Sequence, residues 1–205
     1  MFFFFSTEAA RRPLKELASI VAGVSITRLS MEDRAAPIPV ISLSDVGDEI
    51  RVREEILTTV HASSDTLARF CVQKNDVIVT TRGLDIRAAV VRETHHGMIA
   101  GANLAIIRLG GALLPVLLAA FLRQPQTRET LLRETAGAST PGFTIKALGE
   151  LLIRVPPQDQ QLTMAELIES ITTYRQAVTR ALQLRDAVCN EIIAQALAAS
   201  DEAHG

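Results

Sequence analysis

Thr80-Thr81-Arg82-Gly83 sets two hydroxyls and a guanidinium at the end of a β-prone run, with Arg87 and Arg92 shortly behind. A guanidinium presents a planar fork of donors that fits phosphate oxygens or the edge of guanine, and a hydroxyl can serve phosphate or base edges. Gly137-Ala138-Ser139-Thr140-Pro141-Gly142 carries small hydroxyl side chains in a glycine-flanked loop, where backbone amides can come close to a phosphate. Thr81, Arg82, Arg87, Ser139, Thr140 and Lys146 are therefore candidate DNA-contacting residues, with Arg28 and Arg34 of an earlier polar loop as second choices. Such residues are also common in ordinary turns, so the reading depends on what positions them.

Catalytic chemistry is harder to find. His95-His96 invites a metal or general-base reading, but neighbours in sequence do not share a helix face and no Cys or carboxylate cluster lies close. Asp45, Asp48, Glu49, Glu54 and Glu55 supply carboxylates that an acid/base site could pair, although surface charge is their commoner origin. Gly110-Gly111 lacks both the Lys-Ser/Thr of a phosphate loop and the spacing of a dinucleotide fingerprint. Nothing resembles a nucleophile elbow. The expectation is a non-catalytic chain with no metal and no cofactor of its own.

The elements that must hold these loops are bounded by composition. With 205 residues and 48% hydrophobic content, the chain can bury a core of ordinary domain size. The longest apolar run, Leu109 to Leu122, is interrupted by two glycines and Pro115, which favours a buried helix over a membrane span. Cys71 and Cys189 lack the near neighbours of a metal motif, so a reduced cytoplasmic protein is expected. The net charge of −2 is unevenly spread. Residues 82 to 154 hold 9 basic against 5 acidic side chains, and residues 158 to 205 hold 3 against 7. Arg supplies 18 of the 21 cations, which suits directed hydrogen bonding more than diffuse attraction.

Pattern places short elements along the first 157 residues. A helical turn from Pro13 leads into a strand over Ile20 to Val24, and the alternation of Val40 to Val46 predicts a half-buried strand. Thr66 to Phe70 reads as helical, Val77 to Thr81 as a strand after an Asn75-Asp76 turn, and Ala88 to Arg92 and Ala102 to Leu109 as further strands. Leu113 to Arg123 and Thr127 to Glu134 predict two helices, and Leu151 to Val155 a last strand stopped by Pro156-Pro157. The class is α+β, an irregular mixed sheet with small helices. After it, Met164, Ile168, Ile171, Arg175, Val178, Leu182, Arg185, Cys189 and Ile192 recur every three or four residues. They predict a helix from about Gln158 to Ala199, roughly 60 Å long, that packs on another long helix. The expected organisation is a tail over 1–12, a recognition domain over 13–157, a long helix over 158–200 and a short tail over 201–205.

Taken together, these pieces resemble the target-recognition domain of the specificity (S) subunit of type I restriction-modification enzymes. Leu14-Lys15-Glu16-Leu17-Ala18-Ser19-Ile20-Val21-Ala22-Gly23 is similar to that family's opening segment, and Asn75-Asp76-Val77-Ile78-Val79-Thr80-Thr81-Arg82-Gly83 to its Gly-Asp-Ile-Leu strand, with Asn75 in place of Gly. The most specific part is the ordered set Gly137-Ala138-Ser139, Phe143-Thr144-Ile145, Leu148 and Ile153-Arg154-Val155-Pro156-Pro157.

The resemblance implies a DNA sequence-specificity subunit. It implies a single recognition domain and helix that form an antiparallel homodimer in a coiled-coil-like pairing, with Ile168, Ile171, Val178, Leu182 and Ile192 in the seam. A twofold dimer would read a bipartite palindrome in double-stranded DNA. The partners implied are a methyltransferase subunit, which would bind S-adenosylmethionine, and a restriction-translocase subunit. Two alternatives stay open: a scaffold or regulatory protein that keeps the fold without reading DNA, and a hydrolase built on His95 or His96.

Overall fold

The computed structural model describes residues 10–25, 37–52, 58–61, 67–133 and 141–198. The chain divides into two compact units, Met1–Leu162 and Thr163–Gly205.

The first unit is built on a four-stranded sheet in the order β2-β8-β5-β6, where β2 is Ala18–Ala22, β5 Val77–Thr80, β6 Ala88–Val90 and β8 Leu104–Leu109. All of its pairs are antiparallel, with Ile78 opposite both Ile106 and Ala89. Every residue of β5 is buried, which explains why Val77-Ile78-Val79 is continuously apolar instead of alternating. On one face Ile78, Ala89, Leu104 and Ile106 join Ile41, Val46, Ile50, Val72 and Val91 in the main core. Against β5 and β6 also packs helix α2 (Pro115–Leu122), whose Leu118 and Leu122 are fully buried. Pro115 takes the first helical position, where a missing N–H costs nothing, and Pro125 does the same for α3 (Pro125–Leu132). Both helices thus begin at a proline, away from the expected starts at Leu113 and Thr127.

A second sheet, β4-β3-β7, pairs β3 (Ile38–Ile41) antiparallel with β4 (Thr59–Val60) and parallel with β7 (Ile99–Ala100). The predicted strand over Val40 to Val46 ends early, at Ile41. The Ser42 N–H donates to Asp45 Oδ2 at 2.7 Å, and Leu43–Asp45 closes into a 3₁₀ turn. Side-chain capping of this kind competes with strand formation, and alternation alone does not reveal it. The helix expected over Thr66 to Phe70 is a 3₁₀ turn at Ala68–Phe70, and Thr66 itself lies outside the described residues.

A third, two-stranded sheet joins the two ends of this unit. β1 (Arg11–Pro13) runs antiparallel to β9 (Leu152–Arg154), with Arg11 opposite Arg154 and Pro13 opposite Leu152. Arg11 and Arg12, read as part of a tail, are therefore strand residues. The intervening turn α1 (Leu14–Leu17) buries Leu14 and Leu17, and α4 (Ile145–Gly149) packs on α1 and β2.

The long helix α5 runs over Gln158–Ala198, 41 residues, or roughly 60 Å at 1.5 Å per residue. Its first turn carries a buried glutamine whose amide is fully used. Gln161 Oε1 accepts from the Leu114 N–H at 2.9 Å, and Nε2 donates to the carbonyls of Ala112 and Pro156. The second unit holds the remainder of this helix. Along it Leu167, Ile171, Tyr174, Val178, Leu182, Val188 and Ile192 are exposed, a stripe of apolar residues. Arg175 and Arg185 interrupt it. No helix among the described residues is long and apolar enough to cross a membrane.

Candidate nucleic-acid interface

Where β5 ends, Thr80 closes a tight loop back to β6. Its N–H donates to the Arg87 carbonyl at 2.9 Å, while its Oγ1 accepts from the Arg87 N–H at 2.9 Å and donates to the Asp85 carbonyl. Thr80 is 1% exposed, so this latch sits beneath the loop and holds it from inside. Ile86 anchors the far limb at 4% exposed, and Leu84 stands at the tip, 70% exposed.

Far along the sequence, the segment starting at Pro141 docks against this loop. Arg82 and Gly142 form an isolated antiparallel bridge, the Gly83 N–H donates to the Pro141 carbonyl at 2.9 Å, and the Phe143 N–H donates to the Thr81 carbonyl at 3.1 Å. The Thr81 N–H in turn donates to the Asn103 carbonyl at 2.8 Å. Gly83 has φ +101°, a conformation that side chains disfavour. At Gly142 the constraint is space: a Cβ would lie 2.6 Å from the Thr81 oxygen and 2.9 Å from Arg82 Cδ. The stem of Arg82 therefore lies over a surface made flat by glycine. Phe143 is buried behind the bridge, and Thr144 Oγ1 then caps α4 by accepting from the Ala147 N–H at 3.0 Å.

The structure brings Thr81, Arg82 and Arg87 into one loop. Through Gly142 and Phe143 it attaches to that loop the segment leading to Lys146, the second residue of α4. Arg82 and Lys146 are exposed and Arg87 half-buried, and none of the three makes an ion pair among the described residues. Thr81 is 9% exposed, and its backbone ties the loop at both sides. Ser139, Thr140, Arg28 and Arg34 lie outside the described residues.

Other cations of the basic segment point elsewhere. Arg108 binds Asp76 through two bonds, Nε to Oδ1 at 2.9 Å and Nη2 to Oδ2 at 2.8 Å; Asp76 is 2% exposed and also accepts from the Gln73 N–H. That carboxylate raises the Arg108 pKa further. Arg92 pairs with Glu49, and Arg123 reaches the carbonyls of Ala88 and Asp48 as well as the Asp48 carboxylate. Charge counting could not separate these internal arginines from Arg82 and Arg87.

Three of the five carboxylates offered for an acid/base site have partners in the same network. Asp45 serves Ser42, while Glu49 and Asp48 serve arginines; Glu54 and Glu55 lie outside the described residues. His95 is buried with no hydrogen-bond partner on Nδ1 among the described residues, and its pKa is lowered by desolvation and by Arg92, whereas His96 is exposed. Among the described residues no group of three His, Cys, Asp or Glu could hold a metal. Asn103 and Leu84 lie outside the candidate set, and Thr80 was read for its hydroxyl without the latch it forms beneath the loop. Asn tolerates positive φ better than most side chains, and Asn103 sits at φ 65°.

This α+β head followed by a long helix is the fold of type I restriction-modification specificity subunits. A chain solved to describe complex assembly and conformational transition of the type I R-M system matches over 88% of this chain at TM-score 0.60 and 18% identity. The HsdS subunit from Thermoanaerobacter tengcongensis matches over the same share at TM-score 0.57 and 18% identity. This chain spans about two fifths of those chains, 43% and 42%. No protein-family model matches the sequence. No curated protein shows significant sequence similarity to it.

Proposed function

We propose that this chain is a DNA sequence-specificity subunit of the type I restriction-modification kind, without catalytic activity of its own. The observation that carries the reading is the convergence of the 80–87 loop and the 141–146 segment, two stretches far apart in sequence that are locked together, with Arg82, Arg87 and Lys146 making no ion pair among the described residues. A rigid loop with an exposed guanidinium is what base or phosphate contact requires, because little side-chain and loop entropy remains to be lost on binding. Ser139, Thr140, Arg28 and Arg34 complete the proposed set. The domain so used runs over 13–157.

The exposed apolar stripe supports a pairing role for the long helix, over 158–200. Ile168, Ile171, Val178, Leu182 and Ile192 would pack against a second copy in antiparallel order, in the manner of a coiled coil. The −4 balance of residues 158 to 205 suits protein contact better than phosphate contact. A twofold pair of heads would read a bipartite palindrome and position a methyltransferase subunit that binds S-adenosylmethionine. Co-purification with that methyltransferase, followed by mapping of methylated adenines, tests the proposal. A bipartite palindrome supports it, and an asymmetric site rejects the homodimer.

One observation favours a second reading, a scaffold that keeps the fold but does not read DNA. Arg92, Arg108 and Arg123, a third of the cations in the basic segment, are used internally, and Thr81 is buried. Absence of salt-dependent DNA binding in the methyltransferase complex would select it.

A further inference from the structure

A cleft of about 570 Å³ opens between β1, β9 and α3, and it meets the interface just described only at Ala147, the neighbour of Lys146 in α4. Its apolar lining comes from Phe121, Leu131, Leu151 and Leu152, the last 52% exposed. Gln124 and Gln126 add amides, and Arg11 and Arg154 stand on its strand side. Those arginines are Cα partners across the antiparallel ladder, the arrangement in which like charges repel most directly.

Nothing among the described residues neutralises them. Glu150 also lines the cleft, but it is held by Lys15 Nζ at 2.7 Å, and the neighbouring Arg12 pairs with Glu16 instead. Arg11 and Arg154 make no ion pair among the described residues. The strand pairing that holds them opposite each other uses backbone groups only, so the repulsion is tolerated by the fold, and an anion placed between the two guanidiniums would relieve it.

We infer that this cleft docks a protein segment carrying a carboxylate beside an apolar side chain, supplied by a protein partner. The carboxylate bridges Arg11 and Arg154, and the apolar group covers Leu152 and Phe121. A volume of this size suits a short peptide stretch, and the mixture of apolar floor and paired cations complements an acidic, hydrophobic segment. A DNA backbone fits less well, since phosphates and sugars offer nothing to cover the exposed leucine.

The test pans a phage-displayed library of random peptides on the full chain, then measures one enriched peptide by fluorescence anisotropy against variants. Enriched sequences should carry Asp or Glu next to Leu, Ile or Phe. Arg11→Ala with Arg154→Ala should weaken that peptide at least about tenfold. Because only side chains are removed from a backbone ladder, the double variant should keep the wild-type circular dichroism. Leu152→Ala, at an exposed position, should also weaken binding and guards against loss by misfolding. No enrichment, enrichment of basic sequences, or binding unchanged in the variants overturns the proposal. A duplex-DNA affinity that falls in the double variant without peptide enrichment assigns the cleft to phosphate, and an altered self-association assigns it to a second copy; both results also overturn it.

Discussion

Arg82 and Gly142 face each other across an antiparallel bridge 60 positions apart in sequence, and the space over Gly142 is taken by the Arg82 stem and the Thr81 carbonyl. The proposed contact residue and its support therefore depend on a residue that has no side chain.

Gly142→Ala should disturb both. The new methyl would meet a backbone oxygen at 2.6 Å, so the bridge must open or shift. A cost of about 1 to 3 kcal/mol is expected from forced overpacking. Urea unfolding measures it, and an unchanged midpoint would show that the segment yields freely.

Arg82→Ala removes the exposed guanidinium while leaving the bridge, which is made by backbone. If Arg82 reads a base, specific binding should weaken by about 1 to 3 kcal/mol with random duplexes little affected. If it holds phosphate, all sequences should weaken together and the salt dependence should flatten. Titrations at two salt concentrations separate the cases.

The buried pair of Arg108 and Asp76 makes a stability prediction away from the interface. Arg108→Met leaves the 2% exposed Asp76 carboxylate with the Gln73 N–H but without its cation. The loss should be about 2 kcal/mol, less than for a fully buried pair because Arg108 is partly solvated. Asp76→Asn should cost stability as well. Chemical denaturation of both variants checks the prediction.

His95 supplies a pH dependence. Burial and Arg92 lower its pKa in the folded chain below the ordinary 6.5, so between that value and the folded pKa the unfolded chain binds more protons. Stability from this residue is present above pH 6.5 and declines as the pH falls through that window. Since Nδ1 has no partner among the described residues, His95→Leu should remove this part of the decline without sacrificing a hydrogen bond at that nitrogen. Denaturation at pH 7.5 and pH 5.5 compares the variant with the wild type. Equal slopes would show that His95 does not titrate differently on folding.

Much of the fold was legible because its signals are local. The absence of Gly and Pro between Pro157 and Gly205 and the three-four spacing of apolar residues gave the long helix nearly to the residue. Asn75-Asp76 and the Val77 to Thr81 run gave the central strand, which the structure ends one residue earlier at Thr80. Two kinds of feature escaped. Side-chain bonding over short range ended β3 at Ile41, where Asp45 turns back to Ser42. Long-range pairing also escaped, because nothing in Arg11-Arg12-Pro13 announces a partner at Leu152–Arg154. At the candidate site, hydroxyls, glycines and arginines were visible as types. Their meeting was not, and neither was the division of arginines between internal pairs and open surface.

The most direct test of DNA reading is selection from a random duplex library by the full chain together with the methyltransferase subunit proposed as its partner. Recovery of two fixed half-sites in palindromic order, altered or lost with Arg82→Ala, is the expected result. A library that stays random, or the same half-sites recovered equally well by Arg82→Ala, would contradict the assignment of sequence reading to the Arg82 loop.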